Sequence, residues 1–157
     1  MEDVNLLVKD VDNRSIMQLI TFELEEGLYA FDVLPVETII EMVDIRPVPK
    51  VASYIKGVIN YRGRIIPVMA LSERIDLKRG KIEKYNRIII THFEDIEVGF
   101  LVSNVREVIN VADDQIEKVN SLQGNEVDTR FIKGVIKSND QLIIFLDIKA
   151  ILDTEIS

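Results

Sequence analysis

The sequence predicts an all-β protein of two small five-stranded barrels, and three observations carry that prediction. About ten short apolar runs, rich in β-branched and aromatic residues, lie between turn residues. Helical periodicity is confined to one stretch near the C-terminal end, Asp147–Asp153. The third observation is a repeat: Tyr54–Leu71, YIKGVINYRGRIIPVMAL, returns as FIKGVIKSNDQLIIFLDI over Phe131–Ile148, an offset of 77 residues. Ile55 to Ile59 are identical to Ile132 to Ile136, and an aromatic residue, Tyr54 or Phe131, opens each copy. The chain therefore reads as two related halves, about 18–80 and 81–157, preceded by an arm of residues 1–17 without a sustained period.

Taken in order, Gln18–Leu24 and Leu28–Val33 are strand-like and are separated by Glu25, Glu26 and Gly27, which predicts a hairpin with glycine in its turn. Val36–Val43 is β-branched and follows Pro35, a residue suited to the start of a strand. Pro47 and Pro49 then mark a loop, because neither can donate to a ladder, and Ser53 is placed to cap one short turn before Gly57. Val58–Tyr61 and Ile65–Met69 read as strands joined at Arg62-Gly63, with Gly63 supplying the positive φ of the turn. Ala70–Gly80 suggests one helical turn and a connector.

The second half repeats the order. Arg87–Phe93, Ile96–Leu101 and Val105–Val111 are strands, with Ala30-Phe31 aligned to Gly99-Phe100 and Val36 to Val105 at an offset of 69. The rise from 69 to 77 places eight further residues in the second half, most simply as a surface loop in the polar stretch Ser121–Arg130. A cap-like Asp147 followed by Ile148, Ile151 and Leu152 predicts a short terminal helix.

Composition narrows the function. The chain has 157 residues and a formal net charge of -8, which repels phosphate backbones and argues against nucleic acid as a partner. Zero Cys removes disulfides, thiolate catalysis and Cys-based metal sites, and the absence of Trp predicts an aliphatic core. No apolar run approaches the ~18 residues of a membrane helix and no secretion signal opens the chain, so a cytoplasmic location is expected.

Catalytic constellations are missing. His92 is the only histidine and has no ligand-spaced partner, so neither metal nor cofactor is expected. No nucleophile elbow surrounds Ser53, Ser72 or Ser103. Asp113-Asp114 suits the start of a helical turn better than a reacting pair, and no phosphate-cradling glycine motif occurs. The catalytic expectation is none.

Two features point instead to protein partners. Asn60-Tyr61-Arg62-Gly63-Arg64 is replaced by Lys137-Ser138-Asn139-Asp140-Gln141 in the second copy although its flanks are kept. Either the two hairpins use different turn chemistry, or Arg62 presents a guanidinium fork to a partner carboxylate. The first half also carries an aliphatic excess, Ile20, Val33, Val36, Ile39, Ile40, Met42, Val43 and Val48, divided between core and an exposed patch.

These segments resemble the CheW-type chemotaxis coupling proteins. The resemblance rests on QLITFELEEGLYAFDV, VPKVASYIKGVINYRGRIIPVMAL, IEVGFLVSNVREV and FIKGVIKSNDQLIIFLDI, and it spans Gln18 to Leu152. It implies one domain, residues 18–157, of two intertwined SH3-like five-stranded barrels sharing a hydrophobic core, with boundary strands free to swap. It implies a monomeric, non-enzymatic adaptor that couples transmembrane chemoreceptors to the histidine kinase CheA and is recruited to membrane receptor arrays. By position, the kinase regulatory domain is expected at Ile20, Val33, Val36, Pro47 and Val48. The receptor tip is expected at Gly57, Asn60, Arg62, Val102, Val105 and Val108. Ala70 departs from the acidic residue common in relatives, whereas the second copy keeps Asp147. Rival readings are the coupling half of a CheV-type protein, the regulatory tail of a kinase, and, from a different class, a small barrel that binds oligonucleotides.

Overall fold

A computed structural model of the chain describes residues 15–25, 27–75, 84–119 and 128–153. Ten strands and two short helices follow one another: β1 Ile16–Leu24, β2 Gly27–Asp32, β3 Val36–Glu41, β4 Ile55–Tyr61, β5 Arg64–Ala70, α1 Leu71–Arg74, β6 Arg87–Phe93, β7 Ile96–Val102, β8 Asn104–Ala112, β9 Ile132–Ser138, β10 Gln141–Leu146 and α2 Ile148–Leu152. The first strand begins earlier than its apolar run suggests, since Ile16 and Met17 pair with Ala112 and Val111. The inserted loop assigned to Ser121–Arg130 lies largely outside the described residues, as does the connector after Ile75.

The strands form two five-stranded sheets, ordered β8-β1-β2-β10-β9 and β3-β6-β7-β5-β4. Matching strands by the repeat turns one order into the other. Each sheet therefore takes two strands from one half and three from the other, the β1-β2 and β6-β7 hairpins being exchanged between the halves. Each sheet is closed by one antiparallel bridge beyond its strands, Arg46 to Val58 and Glu117 to Val135, with paired N–H···O bonds of 2.9 Å.

The repeated glycine has its reason at these closures. A Cβ on Gly57 would stand 2.2 Å from the Arg46 carbonyl oxygen, and one on Gly134 would stand 2.4 Å from Ile116 Cγ2 and 2.9 Å from the Glu117 oxygen. Gly57 also holds φ +146°, where L side chains are strained. Only glycine lets the closing segment reach the ladder.

Strand alternation sorts side chains into three cores. Leu19, Ala30, Ile136, Ile143 and Phe145 fill the barrel that contains β1, and Ile59, Ile66, Val68, Ile88, Ile90 and Leu101 fill the other. The opposite faces, among them Ile20, Phe22, Phe31, Ile89, Phe100 and Leu146, meet in a core shared by both barrels. The aliphatic expectation holds for the barrel that contains β6. In the shared core it fails: Phe31 and Phe100, equivalent in the repeat, stand 5.2 Å apart, and Phe22 lies 4.9 Å from Phe31.

Arg74 pins the barrels together. Its guanidinium, largely buried, donates to the carbonyl oxygens of Ile151 at 2.8 Å and Asp153 at 2.9 Å at the end of α2. It also lies 5.0 Å from the Tyr54 ring and 4.9 Å from the Phe131 ring, so the aromatics that open the two repeat copies share one cation.

Candidate partner-binding surfaces

The β4-β5 hairpin begins from backbone geometry. Tyr61 pairs with Arg64, leaving Arg62 at φ 53° and Gly63 at φ 82°, the left-handed pair that matches strand twist in a two-residue turn. The second copy uses the same conformation, with Asn139 at φ 48° and Asp140 at φ 66°. The two turns thus differ in side chains and not in backbone. Asn and Asp tolerate that region, whereas Arg62 carries its steric cost.

The two arginines of the tip have separate jobs. Arg64 is held internally: it donates to Glu37 at 2.7 Å and to Glu97, and its pKa is raised above the ordinary arginine value chiefly by the Glu37 hydrogen bond. A raised arginine pKa gives stability that is lost only above that already high value, so no pH dependence arises from Arg64 in the working range. Arg62 is exposed, has no ion pair among the described residues, and rests 5.2 Å from the Tyr61 ring. Asn60 is engaged, since its Oδ1 accepts from Gly63 N at 3.1 Å and braces the turn.

The remaining receptor-side candidates do not form one cluster. Gly57 closes its barrel at the opposite end of β4 from Arg62, and Val102 is fully buried in the shared core, so neither offers a side-chain contact. Val105 is half-buried against that core, and Val108 is 50% exposed. Both project from β8, whose bulge opposite Thr21 is stitched by the Thr21 hydroxyl, which donates to Glu107 O at 2.7 Å and accepts from Glu107 N at 3.1 Å.

The kinase-side candidates are divided too. Ile20 is buried in the shared core and pairs across β1 and β8 with Val108, a receptor-side candidate. Val33 and Val36 pack against the shared core as β3 begins, while Pro47 and Val48 are exposed beyond its far end. Pro47 and Asn60 line one open concavity of about 690 Å³ with Val43, Ile45 and Ile65. Its lining is mixed, with Asp44 and Arg46 beside these residues, and exposed aliphatics stand around it: Ile65 is 63% exposed, and Met42, Val43, Val48 and Val51 are also open to solvent. Ile65 was not singled out from the sequence, although alternation with the buried Ile66 and Val68 marks it as outward-facing.

Groups weighed for chemistry hold structural positions. His92 is exposed at the end of β6 and its backbone N–H donates to Pro35 O. Ser72 is buried within 3.4 Å of the Tyr85 hydroxyl, Ser103 Oγ accepts from Glu25 N, and Ser53 lies in a turn without capping a helix. Asp113 and Asp114 open a 3-10 turn, as their position suggested. The first hairpin turns on Glu25 at φ 54° with Gly27 already in β2, contrary to the expectation of a glycine in the turn. Among the described residues no group of His, Cys, Asp and Glu is arranged to hold a metal, and no helix is long and apolar enough to cross a membrane.

Two strand-exchanged barrels joined by a shared core carry open concavities and a braced hairpin tip on their outside, surfaces of the kind that protein partners use. A family model described as CheW-like domain matches residues 18–155, and the chain belongs to that family of chemotaxis scaffolds. Chemotaxis protein CheW of Thermotoga maritima is 39% identical over 139 residues, covering 87% of each chain. The protein of the same description from Bacillus subtilis is 36% identical over 141 residues and 89% of each. The crystal structure of scaffolding protein TtCheW from Thermoanaerobacter tengcongensis matches with a TM-score of 0.77 and 33% identity over 88% of each chain.

Proposed function

We propose that this protein couples transmembrane chemoreceptors to the histidine kinase CheA, acting without a chemical step of its own on the cytoplasmic side of membrane receptor arrays. The observation that carries the receptor side is Arg62. A residue type disfavoured in the left-handed region stands there, its guanidinium over the Tyr61 ring and without an ion pair among the described residues, while the neighbouring Arg64 makes the internal ion pairs and the equivalent turn uses Asn-Asp. The receptor tip meets Arg62 through an acidic side chain and meets β8 through Val105 and Val108, with Asn60, Gly57 and Val102 holding the framework. The kinase regulatory domain meets the barrel containing β3 through Pro47, Val48 and the exposed aliphatics around the adjoining concavity, with Ile20, Val33 and Val36 supporting it from the core.

Binding of a receptor cytoplasmic fragment to the Arg62→Ala variant tests the receptor side. Affinity is expected to fall by about tenfold, the loss of one charged hydrogen bond of about 1.5 kcal/mol; unchanged affinity sinks the assignment. For the kinase side the suitable variant is Val48→Asp, because Val48 is exposed whereas Val36 packs on the shared core. Val48→Asp is expected to abolish binding of the kinase regulatory domain with the circular dichroism spectrum intact, and unimpaired binding rejects that side.

A further inference from the structure

Three strands converge on one arginine beside the β4-β5 hairpin tip. Arg64, on β5, donates to Glu37 of β3 at 2.7 Å and to Glu97 of β7, so one guanidinium is held by two carboxylates. Its central carbon also stands 5.6 Å from the centre of the Tyr61 ring, and the corresponding carbon of Arg62 stands 5.2 Å from the same point. Tyr61 packs against the core of this barrel and faces Arg64 directly across the ladder. Two arginines therefore share one aromatic ring, and among the described residues only Arg64 has carboxylate partners.

None of this is needed to build the hairpin. In the second copy the equivalents of Tyr61, Arg62 and Arg64 are Ser138, Asn139 and Gln141, and those of Glu37 and Glu97 are Arg106 and Leu28. The turn there has the same left-handed pair of residues, so its backbone forms without any member of the set. Electrostatics give the set another purpose. Carboxylates beside a partner-facing arginine compete with a carboxylate on the partner, and an uncompensated cation on Arg64 would repel Arg62 from the ring they share. Pairing Arg64 with Glu37 and Glu97 removes both effects at once, because the carboxylates are occupied and the cation is compensated.

We propose that Arg64 is a positioning residue for Arg62: by occupying Glu37 and Glu97 it keeps the Arg62 guanidinium over the Tyr61 ring and available to a carboxylate of the receptor. Without the Arg64 charge, Glu37 and Glu97 lose their cation, and Arg62, left as the one cation against Tyr61 among the described residues, turns to them and is withdrawn from the partner. Availability to a receptor rests on the reading of Arg62 given above, whereas the holding of its guanidinium does not.

The test is Arg64→Gln in the full chain, read in two ways. The first is the NMR signal of the Arg62 Nε–H, assigned by its loss in Arg62→Ala: in Arg64→Gln it is expected to shift and to exchange with water severalfold more slowly, as pairing with a carboxylate requires. The second is binding of the receptor cytoplasmic fragment, expected to weaken severalfold in Arg64→Gln and to recover when Glu37→Gln and Glu97→Gln are added. A merely structural role for Arg64 predicts no such recovery. The Arg64 side chain is 40% exposed, so the circular dichroism spectrum is expected to stay in place. An Arg62 signal unaltered by Arg64→Gln overturns the proposal whatever the receptor result. Binding weakened by Arg62→Ala but not by Arg64→Gln, or not recovered in the triple variant, also overturns it and leaves the reading of Arg62 intact. Binding untouched by Arg62→Ala, with the Arg62 signal altered in Arg64→Gln, rejects the receptor reading and retains the positioning.

Discussion

At the scale of single residues, the repeated glycines show how one atom decides whether a barrel closes. The sequence marks Gly57 and Gly134 only as identities in a repeat. The structure sets backbone against each of them, so a methyl group has no room. Gly57→Ala is expected to lose about 2–4 kcal/mol of stability, through both the clash and the positive φ, and urea denaturation at equilibrium measures it. Gly63, also at positive φ, has no atom near an added Cβ, so alanine there meets backbone strain alone and is expected to cost about 1 kcal/mol. The two hairpin arginines were likewise one motif in the sequence. Which of them is tied by Glu37 and Glu97, and which has no ion pair among the described residues, depends on carboxylates far along the chain.

At the scale of elements, the two short helices are equivalents in the repeat that begin differently. Asp147 accepts from Ala150 N and caps α2, whereas Ala70 stands at the same position before α1 and gives no side-chain cap. The sequence shows this departure, and the structure gives its sense: Ala70 is wholly buried in the core of the barrel containing β5, where a carboxylate would lose its water. Asp147→Ala is expected to cost about 1 kcal/mol, with hydrogen exchange of the Ala150 amide accelerated. Strand extents and turn positions were largely legible, because alternation and turn residues are local signals. The turn at Glu25 was not, because a glutamate in the left-handed region leaves no compositional mark.

At the scale of the whole molecule, strand exchange makes the two halves interdependent. Neither barrel is complete without strands from the other half, and Arg74 ties α1 of one to the end of α2 of the other. Arg74→Met keeps much of the volume but removes two hydrogen bonds to carbonyl oxygens and two ring contacts. It is expected to lower stability by about 2–3 kcal/mol in a single cooperative transition. Two separated transitions by fluorescence and circular dichroism would show that the barrels fold as independent units, against this account.

The sequence by itself determined the all-β class, the order of strands, the duplication, the short capped helix and the family, because periodicity, turn chemistry and repeated motifs are written along the chain. Only the tertiary structure decided which strands pair, which apolar face enters the shared core, and how the candidate residues group. Pairing is a long-range choice with no local signature. A strand with apolar residues on both faces also reads the same whether its second face meets another barrel, a partner or water, so Val102 and Val108 are alike in sequence and opposite in exposure.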